Sequence, residues 1–265
     1  MNPVRPALAS LGLLLATACG GGISPAAQPK TAQPKTAQPN SKDPAVASLT
    51  VLAASSLTKV FTAEGAAYEK AHRGAHVSFS FAGSQTLVAQ VAQGAPADVL
   101  ATADTSSIAT VTAELNGEPR VFARNRLAVI TGAGNPRHLG TLADLAKPGV
   151  KVVLAGPTVP VGKAAAKALA AAGVRLAPVS LEQDVKGVVT KVRLGEADAG
   201  IAYVTDLKAA NGSIAGTPLR GISNSYPAAI LKASKAPDAA EAFIDFVLSP
   251  AGQSILAAAG FLPPA

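Results

Sequence analysis

Cysteine is nearly missing from this 265-residue chain, which has one, Cys19. A single thiol excludes an internal disulfide and a thiolate metal cluster, so stability must come from an apolar core. Tryptophan is absent and aromatic residues make up 4% against 49% hydrophobic overall, which makes that core aliphatic. Charge is sparse as well. Residues 1–44 hold four basic groups and one acidic, leaving +4 of the formal +7 for residues 45–265. No Lys/Arg cluster with interleaved aromatics occurs, which argues against a nucleic-acid partner; the mild excess suits an anionic envelope surface.

Several catalytic signatures are missing too. No G-x-S-x-G elbow surrounds Ser56 or Ser84, and His72, His76 and His138 sit in polar, Gly- and Arg-containing stretches, which argues against a serine hydrolase. His72 and His76 are four apart, but Gly74 interrupts any helix between them and no acidic residue with ligand spacing accompanies them, so a zinc site is not indicated. These histidines read as surface residues. GPTVPVGKA at 156–164 imitates a phosphate loop, yet five residues rather than four separate Gly156 from Gly162, and Ala164 stands where a magnesium-binding Ser or Thr is needed. What survives is the anion-binding geometry of a helix start, where Lys163 either adds a nearby charge or is simply solvated.

The first eighteen residues look like an export signal: Arg5 in a short basic start, an apolar run from Ala7 to Ala16, then small residues. About ten apolar residues are too few to span a bilayer. ATACG at 16–20 resembles a bacterial lipoprotein box, although Ala16 stands where leucine is commoner, so Cys19 is expected to carry a lipid. AQPKTAQPKTAQPNS at 27–41 repeats a five-residue motif rich in Pro, Ala and Gln, which cannot bury enough apolar surface to fold and reads as a tether.

From residue 49 onward strand-like and helix-like patterns alternate, the mark of an α/β protein with mostly parallel sheet. The helix after Ser56 shows a core face at Leu57, Val60, Phe61, Ala67, Tyr68 and Ala71. HVSFSFAGS (76–84) alternates like a half-buried strand before a helical run stopped by Gly94, and residues 95–104 continue as a short strand. RLAVITG (126–132) is a strand and TLADLAKPG (141–149) a short helix. Residues 151–173 read as strand, loop and alanine-rich helix opening at Gly162. RLAPVS (175–180) is strand-like. Residues 182–207 give a helix with apolar Val185, Val188, Val189 and Val192, then a strand carrying Tyr203. The chain closes with AAILKA (228–233) and one helical stretch over 237–261.

Most telling is LTVLAASSLTKVF (49–61), where an apolar strand stops at serines and a helix starts. Serine commonly just caps a helix, but the free N–H groups and partial positive charge of a first turn can also hold an anion. Four such junctions recur, at Ser56, Ser84, Val161-Gly162 and Val185, and open α/β sheets bind ligands at these carboxyl ends of strands.

With these motifs in order, namely AASSLT (53–58), FAGSQTL (81–87), GAPADVLATAD (94–104), EQDVKGVVTKVRLGEADAGIAYVTD (182–206) and a terminal SPAGQSIL with GF, residues 49–262 resemble the molybdate-binding proteins of bacterial ATP-driven importers. The resemblance implies a two-lobed, periplasmic-binding-protein-like α/β fold with the ligand cleft between lobes. Lobe one would be residues 45–124 plus 226–265, lobe two 125–225, and FARNRLAVITG and YPAAIL the two crossover hinge strands. It also implies that Ser56 and Ser84 bind oxyanion oxygens through hydroxyls and amides, that Val161 and Val185 donate backbone N–H, and that the Tyr203 hydroxyl completes the set. Family members often carry alanine where Val161 stands. The implied ligand is molybdate or tungstate, with no cofactor and no direct metal ligand. The implied protein is an extracytoplasmic, membrane-anchored monomer serving a permease with a cytoplasmic ATPase, and not an enzyme. Sulfate, phosphate or an organic acid as ligand, an enzyme on the same scaffold, and a sensory effector domain are the alternatives.

Overall fold

The computed structural model describes residues 47–264. The export signal, Cys19 and the tether lie outside the described residues. The apolar run after Ala47 forms β1 (Ser48–Ala54), buried at Leu49 and from Val51 to Ala54. A 3-10 turn at Ser55–Leu57 then leads into α1 (Thr58–Ala71), β2 (His76–Ala82), α2 (Ser84–Ala92), β3 (Val99–Ala101) and the single turn α3 (Thr105–Ile108). After a further 3-10 segment come β4 (Leu115–Gly132), β5 (Val152–Ala155), α4 (Pro160–Ala171), β6 (Ser180–Glu182) and α5 (Val185–Arg193). The chain continues through β7 (Ala199–Tyr203), α6 (Val204–Ala209) and β8 (Ile214–Leu231) to α7 (Pro237–Leu248) and α8 (Pro250–Ala259).

The eight strands form one sheet in the order β2-β1-β3-β8-β4-β7-β5-β6. β1 runs parallel to β2 and β3, and β5 runs parallel to β6 and β7. The 18-residue strands β4 and β8 lie between these triplets, antiparallel to each other and to β7 and β3 respectively. The sheet is therefore mixed, with four parallel pairings and three antiparallel ones that all involve β4 or β8: one long strand leaves the first triplet for the second and the other returns, so the pair must run in opposite senses. They face each other at Arg124–Ser225, Asn125–Asn224 and Arg126–Ser223, with irregular register on either side. Both crossings named from the sequence fall on these strands, which extend well beyond them.

Three local readings change. Leu57 in the turn and Val60, Phe61 and Tyr68 on α1 are buried as expected, but Ala67 is half-buried, Ala71 is exposed, and Glu64 and Gly65 take buried places on that face. The strand expected in RLAPVS starts only at Ser180, since Pro178 has no N–H for a ladder. The C-terminal helical stretch is two helices bent by 59°. The break falls at Pro250, whose ring cannot continue α7, and Ser249 caps α8 by accepting the Gly252 N–H at 3.3 Å.

Candidate functional site

The carboxyl ends of β1, β2, β5, β6 and β7 converge. Ser56, Ser84, Val161, Val185 and Tyr203, reached from five separate segments, line one small cavity of about 10 Å³. All five are buried, at 7% exposure or less.

Each helix start contributes N–H groups for a local reason. The N-cap positions of α2 and α4 are Gly83 and Val159, and neither provides a capping side chain. Pro160 at the start of α4 has no N–H, so the amides of Val161 and Gly162 are the first free donors of that helix. The 3-10 turn carrying Ser56 likewise begins without a side-chain cap. α5 differs: Asp184 caps it, its carboxylate accepting the Gly187 N–H at 3.0 Å, which leaves the Val185 amide two residues earlier. Close backbone approach fixes Gly162, because a Cβ there would overlap the Ala155 and Gly156 carbonyls.

The hydroxyls are polarised. Ser84 Oγ accepts the Ala103 N–H at 3.0 Å, so its proton is free to be donated elsewhere. Ser56 Oγ lies 3.1 Å from the Tyr226 hydroxyl, which also receives Asn125 Nδ2 at 3.4 Å. Asn125 Nδ2 donates as well to Thr205 Oγ1 at 2.8 Å, and all four residues of this network are buried. Burial and the neighbouring Tyr226 hold the Tyr203 phenol far above the ordinary tyrosine range, and burial raises Tyr226 too, so both stay neutral donors.

No lysine or arginine lines the cavity; Asp184 is its one ionisable carboxylate, engaged in the cap just described. Lys163 is neither a cavity charge nor simply solvated. Its Nζ bonds Asp104 Oδ2 at 3.0 Å, Ser106 Oγ at 3.0 Å and Ser107 Oγ at 3.2 Å, joining α4 to α3. A second tie runs from Gln85 Nε2 to the Gln183 carbonyl at 2.7 Å. The sequence pattern signalled neither tie, nor Asn125, Asn224 and Tyr226, because all depend on side chains brought together from remote segments.

The histidines lie away from the cavity lining. His76 and His138 are exposed, but His72 is half-buried, its ring 4.5 Å from that of Tyr68. His76 has an acidic neighbour after all, Glu69 at 3.1 Å across the helix-to-strand turn. Among the described residues no group of three His, Cys, Asp or Glu could hold a metal ion.

Donors gathered at the carboxyl ends of strands in an α/β sheet make a site of the kind that solute-binding proteins carry. The family model described as bacterial extracellular solute-binding protein matches residues 49–262, and the chain belongs to that family. It is 40% identical over 224 residues to the molybdate-binding protein ModA of Mycobacterium tuberculosis, covering 82% of this chain and 85% of that one. The Azotobacter vinelandii periplasmic molybdate-binding protein shares the fold with a TM-score of 0.70 at 21% identity, over 82% of this chain and 100% of that one. The sulfate-binding protein SubI of Mycobacterium tuberculosis does so with a TM-score of 0.73 at 21% identity, over 82% and 86%. The scaffold is thus common to binders of both anions, and the fold does not choose between them.

Proposed function

We propose that this protein captures molybdate, and tungstate alike, outside the cytoplasm and hands it to a membrane permease driven by a cytoplasmic ATPase, with no chemistry on the ligand. Ser56 and Ser84 bind from one lobe, residues 45–124 with 226–265, and Val161, Val185 and Tyr203 from the other, residues 125–225. The lobes close over the anion by rotation about β4 and β8. Cys19, lipidated, anchors the monomer to the membrane. The observation that carries this reading is the convergence of hydroxyl and amide donors from both halves on one cavity without a cation. The relative that is 40% identical and named for molybdate supports the ligand.

The energetics suit a dianion. Charge-assisted hydrogen bonds contribute about 1.5–3 kcal/mol each and a helix terminus about 0.3–1, so several together offset desolvation. Donors on rigid helix starts select by size: smaller sulfate leaves some unpaired, at about 1–3 kcal/mol apiece. A protonated phosphate needs an acceptor, and the Asp184 carboxylate is held by its own helix.

Calorimetry on residues 42–265, which form one compact unit, tests the reading. Molybdate and tungstate bind at one site and sulfate binds at least tenfold more weakly. Sulfate binding as tightly as molybdate removes the ligand assignment, and turnover of any bound ester removes the transport role.

A further inference from the structure

We propose that Asn224, which the sequence pattern did not single out, is the positioning residue that turns the Tyr203 hydroxyl proton toward the bound anion. The inference rests on the function proposed above and adds a residue to it. Asn224 stands in the middle of β8, opposite Asn125 on β4. Its Nδ2 lies 3.2 Å from the Ala103 carbonyl, 3.5 Å from the Pro160 carbonyl and 2.9 Å from the Tyr203 hydroxyl. Carbonyl oxygens only accept, so the atom facing them is the amide nitrogen and not its oxygen. The contact with Tyr203 is therefore a donation to the phenol oxygen.

A phenol has one proton, and a donor on its oxygen forces that proton to another acceptor. Two stand ready. One is the Tyr226 hydroxyl, to which that of Tyr203 is hydrogen-bonded, and the other would be an anion held in the cavity that Tyr203 lines. A charged acceptor makes a bond about twice as strong as a neutral one, so an arriving dianion takes the proton's direction. With a side chain that accepted instead of donating, the Tyr203 proton would turn to position 224 and present a lone pair to the ligand. Burial keeps the phenol protonated throughout, so orientation, not ionisation, is what Asn224 controls.

The three acceptors come from three places: the segment after β3, the start of α4 and the end of β7. Asn224 thus sets the Tyr203 donor only when both halves of the sheet are in place around the cavity. Ligand polarity and cleft geometry are read by one side chain.

A double-mutant cycle with sodium molybdate decides the matter. Asn224→Ala, Tyr203→Phe and their combination are titrated calorimetrically beside the unaltered protein, with circular-dichroism melts of each. Asn224→Ala weakens binding about tenfold alone, and at most about threefold when Tyr203 is already phenylalanine, the remainder reflecting the lost bond to Ala103. Equal fold-losses in the two backgrounds overturn the inference, since a purely architectural asparagine would not distinguish them. Asn224→Asp, isosteric but accepting, binds more weakly than Asn224→Ala; binding as tight as that of the unaltered protein overturns the inference as well. Should Asn224→Ala not fold, the cycle is run with Asn224→Asp under the same criteria. If the unaltered protein does not bind molybdate, the functional reading itself falls and takes this inference with it.

Discussion

Glu64 is a carboxyl inside the apolar face of α1, fully buried, with neither oxygen hydrogen-bonded. Burial without a compensating bond disfavours the charged form and pushes its pKa up to about 8 from the ordinary 4.5. The sign follows from proton counting. Below about pH 4.5 the carboxyl is neutral in both folded and unfolded chains and costs nothing through ionisation. Between 4.5 and 8 the unfolded chain ionises while the folded one keeps its proton, so stability falls as pH rises. Above 8 the loss is complete. At about 1.36 kcal/mol per unit, the penalty is about 3 kcal/mol at pH 7 and about 5 at the plateau. Glu64→Gln keeps the shape and the unpaired polar atoms but removes the charge. Its stability advantage in urea unfolding, followed by far-UV circular dichroism because the chain has no tryptophan, should therefore grow from near zero at pH 4.5 to about 3 kcal/mol at pH 7 and level off beyond pH 8. An advantage independent of pH would show that the carboxyl finds water or a partner and that the burial argument is wrong.

Three further outcomes are expected. Ser84→Ala removes a donor and strands the Ala103 N–H, weakening molybdate binding about tenfold by calorimetry, the factor for about 1.4 kcal/mol; unchanged affinity would show that Ser84 does not touch the anion. Lys163→Met breaks the tie to Asp104, and because that pair is partly exposed the affinity should fall only about twofold to fivefold, with the difference shrinking in high salt. Gly162→Ala forces a methyl onto two carbonyls, so it should lower stability by about 1–3 kcal/mol in a thermal or urea melt and weaken binding as the start of α4 shifts.

How much of this was legible beforehand depended on whether the signal was local. β1 and the serine turn after it, the α5 valines and the strand carrying Tyr203 follow from short-range periodicity and capping, and they stand as read. β8 was visible only at its apolar end. Residues 214–225 show no alternation, because pairing with β4 and not a buried face holds much of them in the sheet. The C-terminal helix pair was read as one because its apolar pattern crosses Pro250 without interruption. Glu64 gave no warning either: a charge on an apolar helical face is invisible to a count of hydrophobic spacing.

Local order along the chain determined which segments end in free amides and hydroxyls, since a strand stop followed by a helix start is written in neighbouring residues. Only the tertiary structure decided that five such ends share one small cavity, that Lys163 spends its charge on Asp104, and that Asn224 and Tyr226 stand behind the donors. The physical reason is range. A cap or a periodic face is settled within a turn or two of backbone, whereas the direction of a hydroxyl proton depends on partners that in the case of Ser56 and Tyr226 lie 170 residues apart and meet only through the packing of the whole sheet.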